Sequence, residues 1–534
     1  MVCKIQTEIR KVKPKLTKMQ YRDIYPSDPI APRMYGAIKA HKPEKNYPMR
    51  VIVSTIGTAN HGLSKFLVDL IQPTLNKNST RLPNSRKFVS LAKEWDIDPS
   101  EVQVSYDVVN LYPSIPIEAA CEIVINMLSN DEDFGSQTSL TIPEVQTLIK
   151  LCLLHCYFIW DKKIHMLENS GPIGLSLMVV MAEAFLQHHE KNAIEVAKEQ
   201  SPPINLKSFL RYVDDGHARF DCNDQADQFL DILNAQDPNI NYTIERESDK
   251  GLNYLDVNAK NNGQGKYEFS IHRKNAITNV QLKPNSCHDP KVLKGVFKGF
   301  VDRAFSNCSE QHIQQELDFL VNVFVENGYP KSILLEVIKR FRDNLSKDIV
   351  TEEQQIIDDT ERQKVVKLPW IPGVSLKLKR NFKKAGLKAV FKSGRNLKTI
   401  LTASNKSELP PNSFPGVYQV ECACGLKYVG ETKLKIATRI CQHMKNATVG
   451  NRGYSGIVDH AIDCSEEVKW GEARTIHTES RYFQRKVREA LEIQKGNLVR
   501  AGSNQEYGQY LDHRFWLPII GTKLTSDAGN HLRM

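Results

Sequence analysis

Two adjacent aspartates, Asp214 and Asp215, interrupt the stretch Phe209–Phe220, FLRYVDDGHARF. An apolar run, an acid pair with Gly216, and a second short run spell a strand, a tight turn and a return strand. Two like charges at a hairpin tip repel, and a divalent cation held between them removes that repulsion. A plain surface hairpin gives the same string, because Asp-Gly is a common turn dipeptide. The second constraint lies upstream. Val102–Tyr112, VQVSYDVVNLY, alternates apolar residues as a strand does, with Asp107 near its C-terminal end and Tyr112 five residues on. A third carboxylate beside the pair would let the three hold two Mg²⁺ ions (or Mn²⁺), each bridging phosphate oxygens and acid side chains. One ion would activate a primer 3′ hydroxyl and the other would stabilise a leaving pyrophosphate.

Asp107 with Tyr112, followed by Asp214 and Asp215 in a YVDD box, resembles the palm of a reverse transcriptase. Pro32–Gly57, PRMYGAIKAHKPEKNYPMRVIVSTIG, resembles the fingers of such enzymes, and most closely the YGxxKxHK…RxIVS pattern of Penelope-like elements. Tyr254-Leu255-Asp256-Val257 resembles the FLDV strand of the same family. The resemblance implies that Asp107, Asp214 and Asp215 bind Mg²⁺. Lys39, Lys42 and Arg50 would clamp the triphosphate, since guanidinium binds phosphate oxygens in a bidentate way. Tyr112 would press on the sugar 2′ carbon and exclude ribonucleotides; a buried aromatic beside Pro113 is the competing reading. Gly174, in a sharp turn with Gly171 and Pro172, would let backbone approach a bound nucleotide. The chain departs from the family here: Gly174-Leu175-Ser176 stands where Gly-Ser-Pro is common.

At 534 residues the chain is too long for one compact core. Its net charge of +10 suits a polyanionic partner. The eleven cysteines are odd in number and dispersed apart from Cys422 and Cys424, which argues for a reducing compartment over a disulfide framework. The N-terminus has no apolar core of a secretory signal. The longest apolar run, in Ser170–Leu186, is broken by Glu183, so no membrane span is expected. The resemblance implies an α+β, multidomain fold: a right-hand polymerase of fingers, palm and thumb, followed by a small α/β unit. Residues 1–31 read as a flexible basic arm, 32–300 as fingers and palm, and 301–350 as a thumb of two helices joined around Gly328-Tyr329-Pro330. Residues 351–412 read as a linker and a basic helical connector, and 413–525 as the C-terminal unit. A further helix is predicted over Thr141–Phe158, with Cys152 and Cys156 as core thiols.

Tyr418 opens the C-terminal unit, and Tyr428 follows ten residues later in Tyr428-Val429-Gly430. A predicted helix then carries Arg439 and His443 one turn apart. Tyrosines, an arginine and a histidine beside a carboxylate could hydrolyse a phosphodiester, with the arginine neutralising the phosphate. A core tyrosine pair is the bland alternative. The pattern resembles the GIY-YIG nuclease, with valine for both isoleucines. The resemblance implies catalytic roles for Tyr418, Tyr428, Arg439 and His443, Mg²⁺ on Glu489 (with Glu492 as its nearest rival) and a match for Asn504. Cys422 and Cys424 resemble a zinc-binding insertion of Penelope-like nuclease units that two histidines complete. His460 fits one of these, Glu466 stands near the other, and Cys464 could substitute. His443 could serve zinc or the nuclease, and its spacing from Arg439 favours the nuclease.

Together these resemblances imply nicking of DNA by the nuclease and extension of the freed 3′ end on an RNA template. The implied partners are that RNA, target or primer DNA and deoxynucleoside triphosphates, with no membrane. The implied site of action is the nucleus, after synthesis in the cytoplasm. Two alternatives stay open: a telomerase-like reverse transcriptase that primes on existing ends without nicking, and a non-catalytic nucleic-acid-binding relic. The family commonly carries more sequence ahead of the fingers, so an N-terminal truncation is also expected.

Overall fold

The computed structural model describes residues 2–39, 46–77, 80–153, 156–161, 163–167, 171, 173–274, 277–348, 365–391 and 408–495. Lys42, Pro172 and Asn504 lie outside the described residues.

A four-stranded antiparallel sheet occupies the centre, in the order Ser208–Tyr212, Asp215–Phe220, Val102–Val108, Tyr242–Arg246. One face packs through Val104, Tyr106, Phe209, Ala218 and Phe220 into the largest core, shared with helices Ile117–Ser129, Ser176–Glu199 and Asn223–Ala235. Ser176–Glu199 is apolar nearly all round its first half, as a helix enclosed by others must be. The other face carries Gln103 and His217. It is covered by helix Ser85–Ala92 and by the three-stranded sheet of Leu252–Tyr254, Val257–Asn261 and Tyr267–Ile271. His217 is fully buried there against Phe88, with a ring nitrogen 3.1 Å from Gln103 Oε1. Burial, then the charge of Arg219, pushes its pKa down to about 3, so the ring is neutral.

The basic segment after Pro32 forms the hairpin Arg33–Ile38 with Met49–Ser54, in register from Arg33↔Ser54 to Ile38↔Met49. Strands Tyr157–Trp160 and Lys163–Met166 extend that sheet. The helix expected over Thr141–Phe158 is described over Ile142–Leu153 and does not reach Phe158. Phe158 is instead in a strand, because the aromatic, β-branched run YFIW pairs with Lys163–Met166. Cys152 and Cys156 are buried core thiols.

The first residues are not a solvated arm. Helix Val2–Val12 buries Ile5, Ile9 and Val12 in the central core, and helix Lys18–Ile24 follows behind a capping box of Thr17 and Gln20. The i, i+4, i+7 spacing of those three residues makes an apolar stripe, which the basic residues between them obscure in the sequence.

Three helices, Pro290–Asn307, Glu310–Glu326 and Lys331–Asp348, share a core around Phe297, Phe324 and Tyr329. The bundle thus begins ahead of residue 301. Pro290 in the first turn and the Asp289 side chain accepting from Lys291 N start it there. The basic connector, expected as a helix alone, is a βαβ unit: Val365–Leu368 and Lys388–Phe391 pair in parallel around helix Ser375–Lys384.

In the C-terminal unit an antiparallel sheet runs Lys427–Thr432, Gly416–Glu421, Arg474–Thr478, with helices Ile436–Val449, Gly456–Asp463 and Tyr482–Lys495. It meets the N-terminal part through Asp28, whose carboxylate accepts from Lys435 N and from Thr438 Oγ1 at the start of helix Ile436–Val449. Arg33 also stacks over Phe414, 5.1 Å from the ring centroid. Among the described residues no helix is long and apolar enough to cross a membrane.

Ile9→Ala is expected to remove about 2–4 kcal/mol of stability, the usual cost of emptying a buried site. Chemical denaturation would report it as a lower midpoint; an unchanged midpoint would mean that the first helix does not share the core.

Candidate active sites

Asp107 lies directly opposite Asp215 in the antiparallel register. The two residues are far apart in the chain, and they meet because their strands, the inner two of the sheet, present them at the same end. Asp214 occupies the turn between Ser208–Tyr212 and Asp215–Phe220. Val108 N donates to Asp214 O at 3.1 Å, and the Tyr254 hydroxyl donates to Asp215 O at 2.9 Å. Asp107 and Asp214 are exposed, and Asp215 is half-buried. Burial, then the charges of Asp107 and Asp214, pushes the Asp215 carboxyl up to about 6, with Lys274 opposing. An oxygen-only donor set whose members repel one another is the chemistry that suits a hard divalent cation.

Tyr112 sits half-buried just after left-handed Asn110 (φ 51°). Its phenol is raised by burial first and then by Asp214, with Arg50 opposing. The tyrosine, the acid turn and Arg50 of the Arg33–Ser54 hairpin therefore share one electrostatic field. Arg50 is exposed on the hairpin opposite Ala37, and Lys39 N closes the same hairpin on Pro48 O at 2.9 Å. Gly174 has φ 120°, and a Cβ there would stand 2.3 Å from Val53 O. The close approach that requires glycine is thus to strand Met49–Ser54, where backbone expected to approach a nucleotide instead meets backbone. Thr55 Oγ1 donates to Gly174 O at 2.9 Å and Val53 N to Ile173 O at 2.8 Å.

One group beneath the acids has no counterpart in the sequence reading. Arg211 is fully buried. It forks onto Glu183 at 3.0 and 3.1 Å and reaches Glu190 at 2.5 Å. Its Nη1 also donates to Val213 O at 2.6 Å. Burial pushes the Glu190 carboxyl up to about 7, against the pull of Arg211. The available signal was an arginine inside an apolar strand and two glutamates seven apart on one face of an apolar helix.

In the C-terminal unit Tyr418, Tyr428, Arg439, His443 and Glu489 come together. Tyr418 Oη is 2.7 Å from His443 Nε2, and His443 Nδ1 is 2.9 Å from Ser455 Oγ. His443 is fully buried; burial, then Arg439, pushes it down to about 3, so it is a neutral partner of Tyr418. The Tyr418 and Tyr428 rings are 6.2 Å apart. Both phenols are raised, chiefly by burial, Tyr428 to about 12, and both lie in the fields of Arg439 and Glu489. Arg439 Nη1 donates to Tyr454 Oη at 2.6 Å. Gly430 is required beside this group, since a Cβ would stand 2.6 Å from Tyr418 Oη. Glu489 is the acid that faces the tyrosines, whereas Glu492 pairs with His477 at 3.3 Å. Lys486 bridges Glu489 at 3.2 Å and Glu431 at 3.1 Å. Burial raises the Glu489 carboxyl despite that lysine. Tyr454, Ser455 and Lys486 were not singled out from the sequence.

Cys422, Cys424, His460 and Cys464 present ligand atoms that all lie within 4.8 Å of one another. Cys422 Sγ is 3.9 Å from Cys464 Sγ, and Cys424 Sγ is 3.4 Å from His460 Nε2. Tetrahedral zinc with Zn–S of about 2.3 Å separates two ligand sulfurs by about 3.8 Å, so this donor set fits. Cys464 takes the fourth corner, and Glu466 and His443 are outside the cluster.

Residues 280–339 match the model of the animal helix-turn-helix domain, which covers the first two helices of the three-helix bundle and the start of the third. No curated protein matches the chain. Among solved structures the chain is similar to telomerase from Candida albicans in complex with a TWJ fragment of telomeric RNA, with 10% identity over 63% of this chain and 59% of that one and a TM-score of 0.41. It is similar to the RNA-dependent RNA polymerase of bacteriophage phi12, with 12% identity over 62% of this chain and 59% of that one and a TM-score of 0.36. It is also similar to the Sicinivirus 3Dpol RNA-dependent RNA polymerase, with 12% identity over 60% and 71% and a TM-score of 0.36. The chain spans less than two thirds of the length of the telomerase and of the phage polymerase.

The raised Asp215 carboxyl contributes stability in its neutral form, present at low pH and lost as the pH rises through about 6. Cation binding needs the charged form. Mn²⁺ affinity is therefore expected to fall as the pH drops through that value, by about tenfold per unit below it. Asp107→Asn should move the Asp215 midpoint down in a carboxyl NMR titration; an unmoved midpoint would leave burial as the sole cause. Elemental analysis of purified protein is expected to find about one zinc per chain, lost in Cys424→Ser, and chelation should lower the melting temperature of the C-terminal unit. Zinc-free protein with the same melting temperature would remove the metal site.

Proposed function

We propose that the chain is a template-directed nucleic-acid polymerase, and within that class a Penelope-like reverse transcriptase carrying a GIY-YIG nuclease unit. The observation that carries this reading is Asp107 opposite Asp215, with Asp214 in the adjoining turn, at one end of the inner strands of a helix-backed antiparallel sheet. These acids would hold Mg²⁺ or Mn²⁺, which when bound activates a primer hydroxyl and neutralises the leaving pyrophosphate. Arg50 and Lys39, on the hairpin whose arginine shares the acids' field, bind the triphosphate of a deoxynucleotide. The half-buried ring of Tyr112 excludes a 2′ hydroxyl by bulk. An RNA template and a DNA primer complete the partner set, and the helix-turn-helix match favours nucleic-acid contact by the three-helix bundle.

In the second unit Arg439 neutralises a scissile phosphate. Neutral His443 accepts a hydrogen bond from the Tyr418 hydroxyl and holds it, so that the phenol oxygen orients an attacking water. Glu489 would hold the Mg²⁺ that stabilises the leaving oxygen. Nicking of chromosomal DNA would free the 3′ end that the first unit extends, which places the protein's work in the nucleus. One feature favours the end-priming alternative without nicking: the Lys486 ammonium bridges Glu489 and Glu431, where the nuclease cation would sit. A nucleic-acid-binding relic is the remaining alternative, against which stands the full set of acids.

Primer extension on an RNA template with Mg²⁺ tests the first unit. Asp214→Ala is expected to reduce DNA synthesis by about 100-fold or more with folding intact. Well-folded, RNA-binding wild-type protein that makes no product would sink the polymerase reading. Nicking of supercoiled DNA that Glu489→Gln abolishes would establish the nuclease; synthesis with no nicking would select the end-priming alternative.

A further inference from the structure

Val213 separates Tyr212 from the acid pair and has φ 58°. A β-branched residue pays a steric penalty there that glycine would not. Something must hold it in place, because the direction of the next two carboxylates depends on it. The three successive carbonyls of Val213, Asp214 and Asp215 each receive a donor from a different part of the chain: Arg211 Nη1 at 2.6 Å, Val108 N at 3.1 Å and Tyr254 Oη at 2.9 Å. Of the three, the arginine alone reaches the strained residue.

That guanidinium has little freedom of its own. Glu183 takes it in a fork at 3.0 and 3.1 Å, and Glu190 meets its Nε at 2.5 Å. Gln187 donates to Glu183 at 2.8 Å, and Arg81 stands 3.5 Å from the same carboxylate. The Arg211 backbone is tied as well, N to Thr80 O at 2.9 Å and O to Leu82 N at 2.8 Å. Both glutamates belong to helix Ser176–Glu199, whose N-terminal end follows Gly174 and so abuts the strand that carries Arg50. One rigid helix therefore touches the acid turn through Arg211 and the fingers hairpin through Gly174.

We propose that Arg211 is a positioning residue: by holding the Val213 carbonyl it fixes the turn in which Asp214 and Asp215 converge with Asp107 on a cation. The proposal rests on the polymerase reading only for the meaning of that cation; the geometry belongs to the acids themselves. Lysine cannot replace the arginine, since one ammonium cannot fork onto Glu183, meet Glu190 and reach Val213 O together.

The test reads Mn²⁺ binding by electron paramagnetic resonance of the free ion alongside primer extension, with Asp214→Ala marking the signal that belongs to the acids. Arg211→Lys is expected to weaken that Mn²⁺ binding about tenfold and to raise the Mg²⁺ concentration for half-maximal synthesis by a similar factor, with KM for the template–primer unchanged. Val213→Gly added to Arg211→Lys should recover most of the loss, because glycine adopts φ 58° without help. Glu190→Gln, which keeps the shape of the buried group, should shift the metal dependence in the same direction by a smaller factor and serves where the lysine variant fails to fold. Wild-type metal dependence in a folded Arg211→Lys or Glu190→Gln protein would overturn the proposal, as would a Val213→Gly double variant with no recovery. Protein that binds Mn²⁺ through Asp214 yet makes no DNA would remove the polymerase reading and leave the positioning role to stand on the Mn²⁺ shifts. Absence of any Asp214-dependent Mn²⁺ signal would overturn both.

Discussion

Asp107 and Asp215 face each other because Val102 pairs with Phe220, and each pair between follows from that register. A slip of one residue would turn Val104 and Tyr106 out of the core and carry Asp107 away from its partner. The buried side of the sheet thus enforces what its end displays. The Tyr106 hydroxyl, which donates to Ala226 O at 2.8 Å, resists such a slip from within the core. The repulsion among the carboxylates is tolerated because many apolar contacts on the same strands hold them in line.

The acids were legible because their chemistry is written in a short string, and a strand-turn-strand pattern places such a string at one end of a sheet. Arg50, Tyr112 and Gly174 were singled out by resemblance. Even so, the Gly174 backbone is shaped by Val53 and not by open space above a nucleotide. The Arg211 cluster was not legible, because its partners come from a helix whose glutamates look like interruptions of an apolar run. Charge at a buried position acquires meaning only when the opposing charge is known, and that is a tertiary fact. The first helix was missed for the converse reason: its three buried apolar residues stand among Lys4, Arg10 and Lys11 and are followed by more basic residues, and composition outweighed spacing.

In the C-terminal unit the same logic runs with phenols in place of carboxylates. Tyr418 and Tyr428 lie on paired strands, and Gly430 is small because the Tyr418 hydroxyl passes over it. The helix after them supplies His443 from below and Arg439 from the side. Sequence spacing found these residues, yet it could not find Tyr454 or Ser455, which arrive from the next loop and complete their hydrogen bonds. The cysteine and histidine cluster stands at the turn that joins the same two strands. It ties the strand hairpin to helix Gly456–Asp463 and the turn after it, where the small core of the unit offers few apolar contacts.

The helix that carries Arg439 and His443 begins on an acid that is not its own. Asp28 supplies the carboxylate that accepts from the N–H of Lys435, just before the helix, and from Thr438 Oγ1, from a position some four hundred residues earlier in the chain. The next two backbone donors, Ile436 N and Ala437 N, are met locally by Phe414 O and Asn412 O. The proline-rich stretch before Gly416 looks like a natural place to cut, but a fragment cut there would lose the Asp28 carboxylate. Any transfer of the C-terminal unit to another protein would leave that acid behind. The boundary in the sequence and the boundary in space are not the same, and the second decides what can be inherited as a piece.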